Sequence, residues 1–377
     1  MSLRLGFCLF AYRPYGGLQR DFIHIAEACL RRGHRIKVLT MEWQAPARDD
    51  MDIEVIPIRR LRNHSRSKAF AAAVQRRWHD QDLDLIVGFN GIPGLDIYYA
   101  ADPCYEAKVR RGNNRLFRLT GRYRQFAGFE RAIFSPEQDT QILILAESEI
   151  ANFVHYYHTP RERFHVLPPG ITRDRCAPSD AADVRRRLRA EFQFNNDELV
   201  ILLVGSGFKT KGLDRAIRAL AALPAELQQR SRLLVLGEDR RQPFQRLAKR
   251  LGVDARVLFM GGRADVPRFL AGSDLLIHPA YSENAGMVLL EAMVAGLPVL
   301  TTDVCGYAFH VLQADAGHVL PSPFSQARLN EKLAAMCELT ERQRWSANGI
   351  RYGKTEDLYS MPERAADFIE RHAGARA

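Results

Sequence analysis

The sequence predicts an α/β protein made of two doubly wound domains, each built on a parallel sheet. Three observations predict it. Strand-like and helix-like segments alternate through residue 167, a Pro168-Pro169-Gly170 punctuation follows, and the alternation starts again at residue 199. With 377 residues the chain is long enough for two domains with full cores.

The first run opens with a strand over Arg4 to Phe10, a loop over Ala11 to Gly17 and a helix from Leu18 to Arg32. Gly33-His34 stops that helix, and Arg35 to Thr40 is the next strand. Further strands are expected at Ile53 to Ile58, Leu85 to Phe89, Ile97 to Ala101, Gln141 to Ala146 and Arg163 to Leu167. Beyond the break, Asp183 to Phe192 reads as a basic helix. The second run has strands at Leu199 to Val204, Arg232 to Leu236, Arg256 to Met260 and Asp274 to His278. Helices at Leu213 to Leu220, Pro243 to Leu251 and Val266 to Ala271 alternate with them. The expected division is 1–168, 169–355 and a C-terminal helix within 356–377 that crosses back to the first domain. Two such Rossmann-like domains would face each other across a cleft along the carboxyl ends of their strands, where open α/β sheets bind ligands.

Composition narrows the function classes. Apolar residues make up 46% and charged residues 26%, ordinary for a globular protein. The best candidate for a membrane span, Leu85 to Ala101, is interrupted by Asn90, Pro93 and Asp96. The N-terminus enters a strand almost at once and lacks the pattern of a signal peptide. Cys8, Cys29, Cys104, Cys176, Cys305 and Cys337 are scattered with no C-x-x-C pair, which points to a reduced compartment and no structural metal. His155 and His158 are spaced for one helix face but have no acidic or cysteine partner nearby, so no metal site is expected. The net charge is +10 and is uneven: between Tyr105 and Phe134 eight basic residues face only Glu106 and Glu130.

The densest chemistry lies in Pro279-Ala-Tyr-Ser-Glu-Asn-Ala-Gly-Met-Val-Leu-Leu-Glu291, between a strand and a short apolar helix. Glu283 and Glu291 flank the helix entry, and between them lie the free N–H groups of Gly286, Met287 and Val288, which attract anions. Eight residues at a helical rise of ~1.5 Å span about 12 Å, close to a nucleotide-sugar with hydroxyls at both ends and a diphosphate between. Three more loops have phosphate-binding character: Gly16-Gly17 before the first helix, Gly205 to Gly212 with Lys209 and Lys211, and Pro168 to Arg175. The second of these lacks the P-loop spacing.

In order along the chain, Gly16-Gly17, Arg32-Gly33-His34, Pro168-Pro-Gly170, Lys211-Gly212 and the Glu283/Glu291 pair closely resemble the retaining GT-B glycosyltransferases of family 4. A narrower resemblance is to the lipopolysaccharide core hexosyltransferases of Gram-negative bacteria. It is carried by Gly16-Gly-Leu-Gln-Arg-Asp21, Val87 to Asp96, Tyr98 to Cys104, Val304-Cys-Gly-Tyr-Ala308 and Asp357 to Pro362. The resemblance implies transfer of a hexose, by default glucose from UDP-glucose, onto an inner-core heptose, at the cytoplasmic face of the inner membrane. It assigns Glu291 to the ribose hydroxyls, Glu283 to the transferred sugar, and Lys211 and Arg175 to the diphosphate, with Gly17 close by. Asp21 would line the acceptor side, and backbone around Arg263 would meet the uracil. Developing charge on departing UDP would be met by cations and helix N–H groups, and the oxocarbenium-like carbon by a carboxylate.

Three positions depart from the family pattern. Ser206 stands where an arginine is common, so Lys209 becomes the expected second phosphate cation. Glu283-Asn-Ala-Gly286 replaces E-G-F-G, and Asp102 replaces a histidine, with donor and acceptor roles both open. UDP-galactosamine and UDP-N-acetylgalactosamine remain alternative donors, and a nucleotide-sugar epimerase is an alternative reaction. No metal is expected, since Asp82-Leu-Asp84 precedes a strand instead of following one. The basic 105–134 segment is read as one amphipathic helix that docks on an anionic membrane surface. Its apolar row is Leu116, Leu119, Tyr123, Phe126 and Ile133, and its basic row is Arg111, Arg115, Arg118 and Arg122. The aromatic residues among these arginines would also suit nucleic acid, but no nucleic-acid fold signature is present.

Overall fold

A computed structural model describes residues 2–14, 16–60, 62–80, 82–112, 116–337 and 339–375. The chain divides into two compact units, Met1–Gly170 with Ser360–Ala377, and Ile171–Tyr359.

The first unit holds strands β1 (Arg4–Leu9), β2 (Arg35–Thr40), β3 (Asp52–Val55), β4 (Leu85–Gly88), β5 (Ile97–Ala100), β6 (Gln141–Ile144) and β7 (Phe164–Val166). They form one parallel sheet in the order β3-β2-β1-β4-β5-β6-β7. Helices α1 (Gly17–Arg31), α2 (Asn63–Asp80), α3 (Tyr105–Arg111), α4 (Gly121–Phe134) and α5 (Ile150–Tyr157) connect them. The strand order reverses between β1 and β4, which places the loop before α1 at the switch point. Helix α1 buries Phe22, Ile25, Ala26 and Cys29, an apolar stripe at helical spacing.

The second unit begins with α6 (Ala181–Glu191) and β8 (Leu199–Val204), then α7 (Leu213–Ala221), α8 (Ala225–Gln229) and β9 (Ser231–Leu236). Next come α9 (Gln242–Arg250), β10 (Val257–Gly261), α10 (Val266–Gly272), β11 (Leu275–His278) and α11 (Met287–Val294). The unit closes with β12 (Val299–Thr302), α12 (Ala308–Gln313), β13 (Gly317–Leu320), α13 (Gln326–Ala335) and α14 (Leu339–Thr355). Its parallel sheet runs β10-β9-β8-β11-β12-β13, so the order reverses between β8 and β11. The loops leaving these two strands are Gly205–Gly212 and Pro279–Gly286, which carry Lys209, Lys211 and Glu283.

The last helix, α15 (Met361–Gly374), belongs to the first unit and packs against α1. Arg32 fastens it by ion pairs to Glu363 (2.8 Å), Asp367 (2.7 Å) and Glu370 (2.8 Å), and His34 meets Glu370 at 2.8 Å. The Arg32-Gly33-His34 motif is therefore an anchor for the C-terminal helix as well as a helix stop.

The basic segment differs most from its expected form. It is not one helix. Helix α3, a 3-10 turn at Leu116–Leu119 and α4 follow one another, and Arg115 lies outside the described residues. The Thr120 hydroxyl accepts from the Tyr123 N–H at 3.2 Å, an N-cap that starts a new helix and turns its axis free of the preceding turn. The expected apolar row is split accordingly. Ile133 is in the core, whereas Leu116 and Leu119 are 78% and 70% exposed. Among the described residues no helix is long and apolar enough to cross a membrane.

Candidate active site

The second unit builds most of the predicted site at its switch point. Gly212 caps α7 with φ of 77°, and a β-carbon there would strike the carbonyl of Pro279. Only glycine lets the loop after β8 lie so close to the loop after β11. That approach brings Lys211 to Glu283, where its ammonium donates to Oε2. The same carboxylate oxygen meets His278 Nε2 at 3.2 Å, and Oε1 accepts from the Asn284 N–H at 3.2 Å. Burial works to raise the Glu283 carboxyl, but the His278 hydrogen bond and the Lys211 charge outweigh it and bring it down to about 2. Glu283 is thus an anion at any physiological pH.

Neighbouring residues hold this loop in place. Arg215 donates to the carbonyls of Pro279 (3.0 Å) and Ala280 (2.8 Å). Its guanidinium lies 3.5 Å from the ring centres of both Tyr281 and Phe324. On the other side, the N–H groups of Gly306 and Tyr307 donate to Asn284 (2.7 Å) and Ala285 (2.8 Å). The Val304-to-Ala308 motif therefore serves as a clasp on the Glu283 loop.

Gly286, with φ of 86°, precedes the first helical residue, Met287. Glu283 consequently sits in the turn and Glu291 lies a little over one turn inside α11. The span expected from helical rise does not apply to the turn residues. Glu291 is 4% exposed on an otherwise apolar helix.

The remaining donor-side candidates behave differently from one another. Arg175 is buried in a short turn that packs against α11. Its Nε and Nη1 have no hydrogen-bond partner, and Asp174 approaches Nε only to 3.8 Å. Lys209 is already engaged, donating to Asp214 at 2.7 Å and to the Tyr281 hydroxyl at 3.0 Å. Arg263 forms a two-pronged pair with Asp265, both bonds at 2.7 Å. Met287 and Val288 contribute the first backbone N–H groups of α11.

In the first unit, Gly17 opens α1, and no atom lies within 4 Å of where its β-carbon would stand. Asp21, one turn further on, is 4% exposed and accepts from the Tyr99 hydroxyl at 2.8 Å. Asp102 follows β5 and borders a cavity of about 130 Å³ lined by Asn90, Tyr98, Tyr105, Phe126 and Glu130, among others. The residue as a whole is exposed, while desolvation on its cavity side raises the carboxyl above the usual range, with Lys108 working against the rise.

Comparison with known proteins follows this division of labour. Residues 15–175 match the model of Glycosyltransferase Family 4, and residues 184–352 match Glycosyl transferases group 1. The chain is 45% identical over 366 residues to the lipopolysaccharide glucosyltransferase WaaG of Escherichia coli K12, covering 97% of this chain and 98% of that protein. The chain belongs to the WaaG-type GT-B glycosyltransferases of family 4. It is a hexosyltransferase. The crystal structure of WaaG, a glycosyltransferase involved in lipopolysaccharide biosynthesis, superposes with a TM-score of 0.94 at 44% identity, covering 97% of this chain and 99% of that one. Anabaena HepE, solved with UDP and glucose, shares the fold with a TM-score of 0.76 at 19% identity, covering 98% of this chain and all of that one.

Sequence reasoning missed His278 and Arg215, and it marked the Val304-to-Ala308 motif without its part in holding the Glu283 loop. The signal for His278 was present: it is a polar residue ending an apolar strand at the switch point.

Proposed function

We propose that the protein transfers a hexose from a UDP-sugar, glucose by preference, onto the inner-core heptose of lipopolysaccharide, with retention and without a metal ion. One observation carries the donor reading. The second unit keeps a buried guanidinium, Arg175, whose Nε and Nη1 make no hydrogen bond among the described residues and whose ion pair with Asp174 is long at 3.8 Å, on a turn against the same helix that follows Glu283. A buried cation so weakly paired is costly unless a further anion arrives, and a diphosphate supplies one. Lys211 and the N–H groups of Gly286, Met287 and Val288 complete the cationic surroundings, stabilising the charge that develops as UDP leaves. Glu283 faces the oxocarbenium-like carbon, and Glu291 takes the ribose hydroxyls. Lys209 and Arg263 contribute through the loops they fasten, and Gly17, Asp21 and Asp102 belong to the acceptor unit. The WaaG name supports lipopolysaccharide and glucose, and a fold relative crystallised with UDP and glucose supports the nucleotide.

The test is incubation with a panel of UDP-hexoses and a truncated lipopolysaccharide ending in heptose, scored by UDP release and by the anomeric configuration of the product. Turnover of UDP-glucose that needs the saccharide and persists in excess chelator is expected. Turnover without acceptor would indicate an epimerase or hydrolase instead. Activity lost in chelator and restored by Mg²⁺ or Mn²⁺ would remove the metal-free reading.

The same proposal places the enzyme at the inner face of the inner membrane, docked through 105–134. Exposed Leu116 and Leu119 are accompanied by Lys108, Arg111, Arg122 and Arg124, also exposed, the combination that docks on anionic lipid. Binding to anionic but not neutral liposomes, reversed by high salt and weakened by charge reversal of Arg111, Arg118 and Arg122, is expected.

A further inference from the structure

His278 is the last residue of β11 and is fully enclosed, with 0% of its side chain exposed. Its Nε2 meets Glu283 Oε2 at 3.2 Å, while Nδ1 is buried with no hydrogen-bond partner. Nε2 must carry the proton for the pair to be a hydrogen bond, since a carboxylate only accepts. The Nε2–H of the ring is therefore directed at Glu283 Oε2. Thr301 fixes the strand end by donating its hydroxyl to the His278 carbonyl at 3.0 Å.

Lys211 shares the same carboxylate oxygen. Under the proposed reaction, on which this inference rests, Lys211 also serves the diphosphate. One ammonium cannot remain fully on Glu283 while it neutralises a leaving phosphate. When it turns to the donor, Glu283 keeps two fixed donors: the N–H of Asn284, on Oε1, and His278 Nε2, on Oε2. The Asn284 N–H comes from the adjoining residue and cannot by itself orient the far oxygen. A carboxylate left in that position would rotate or take up a proton.

We infer that His278 is a positioning residue that holds the Glu283 carboxylate, oriented and ionised, while Lys211 exchanges between Glu283 and the donor diphosphate. The other titratable groups facing Glu283 are Lys211, from the loop before α7, and Cys305, after β12. Burial pushes the Cys305 thiol up to about 11, so it does not change charge in the acid range where Glu283 would.

The experiment compares His278→Leu, which removes the donor, with His278→Gln, whose amide N–H can reach the Nε2 position. Steady-state kinetics with the UDP-sugar that the wild-type enzyme turns over are recorded from pH 4.5 to 8, with thermal melts to confirm folding. His278→Leu is expected to lose kcat by roughly ten- to a hundredfold, the range of one hydrogen bond to a buried charge. Its KM for the donor should change little, and its acid limb should move to higher pH. His278→Gln should recover most of kcat and the wild-type acid limb. An unchanged kcat and acid limb in His278→Leu overturns the inference. Equal impairment of both folded variants without a shift of the acid limb also overturns it, because that is a packing effect. If His278→Leu fails to fold, His278→Gln decides alone: near-normal kcat and acid limb support the role, and a large kcat loss opposes it. Wild-type enzyme without turnover on any UDP-sugar would count against the proposed reaction, not against His278.

Discussion

Both units put a glycine-bearing loop and a helix after the strand at their switch point, yet they furnish it in opposite ways. In the second unit the loops meet as charged pairs, Lys211 with Glu283 and Lys209 with Asp214, and Arg175 is held only by a long pair with Asp174. In the first unit the corresponding carboxylates sit among aromatic rings, Asp21 under Tyr99 and Asp102 beside Tyr98 and Tyr105. The difference is one of electrostatics: the second unit gathers opposite charges in its switch-point loops, and the first surrounds its carboxylates with aromatic rings.

The largest expected effect is on turnover. Glu283→Ala should reduce kcat by roughly 10²- to 10³-fold with the protein still folded, whereas Glu291→Ala should chiefly raise the KM for the donor. Steady-state kinetics beside a circular-dichroism melt check both. A Glu283→Ala enzyme with near-normal turnover would erase the contrast between the units.

Acid should affect the two units in opposite senses. The Glu283 carboxyl is held at about 2 when folded against 4.5 unfolded. Its contribution is therefore complete above pH 4.5 and disappears as pH falls towards 2. It is of order 2 kcal/mol, discounted for coupling to Lys211. Glu283→Gln should cost stability at pH 7 and nothing near pH 2, measured by urea unfolding. A pH-independent difference would show that the carboxylate's ionisation is not what stabilises the loop.

Tyr99→Phe should lower stability by about 1 kcal/mol by removing one hydrogen bond to a buried carboxylate, while leaving kcat within about twofold. Thermal unfolding and kinetics together test it. A kcat loss as large as that of Glu283→Ala would place Asp21 in the chemistry and break the comparison from the other side.

The smallest effect is at Asp102. Its folded carboxyl lies above the unfolded 3.8, so ionisation works against folding at neutral pH and the penalty lifts as pH falls below the folded value. Asp102→Asn should be equal to or slightly more stable than wild type at pH 7, with the advantage gone in acid. A destabilised variant at pH 7 would show that the carboxylate makes a bond that outweighs its desolvation.

Much of this was legible before any fold was known. Short apolar runs between glycines and prolines located nearly every strand through β11, because a buried parallel strand must be apolar on both faces. Glycines at Gly212 and Gly286 marked the site because their left-handed backbone admits little else. The basic segment misled because a helical repeat in sequence says nothing of where a cap interrupts it, as Thr120 does. Nor does sequence show which acids sit beside Lys209 and Arg263: Asp214 and Asp265 hold them in the folded chain.

By itself, then, the sequence determined the two alternating α/β runs, the break near Gly170 and the loops that carry the charged residues. Those follow from periodicity and backbone propensity, which are local. Which charges meet was decided only in three dimensions. His278 and Glu283 are five residues apart, but Lys211 reaches them across 72 positions, and only the adjacency of β8 and β11 brings that loop home. Such pairings depend on strand order and on the close approach of two backbones, and neither is a property of any short stretch of chain.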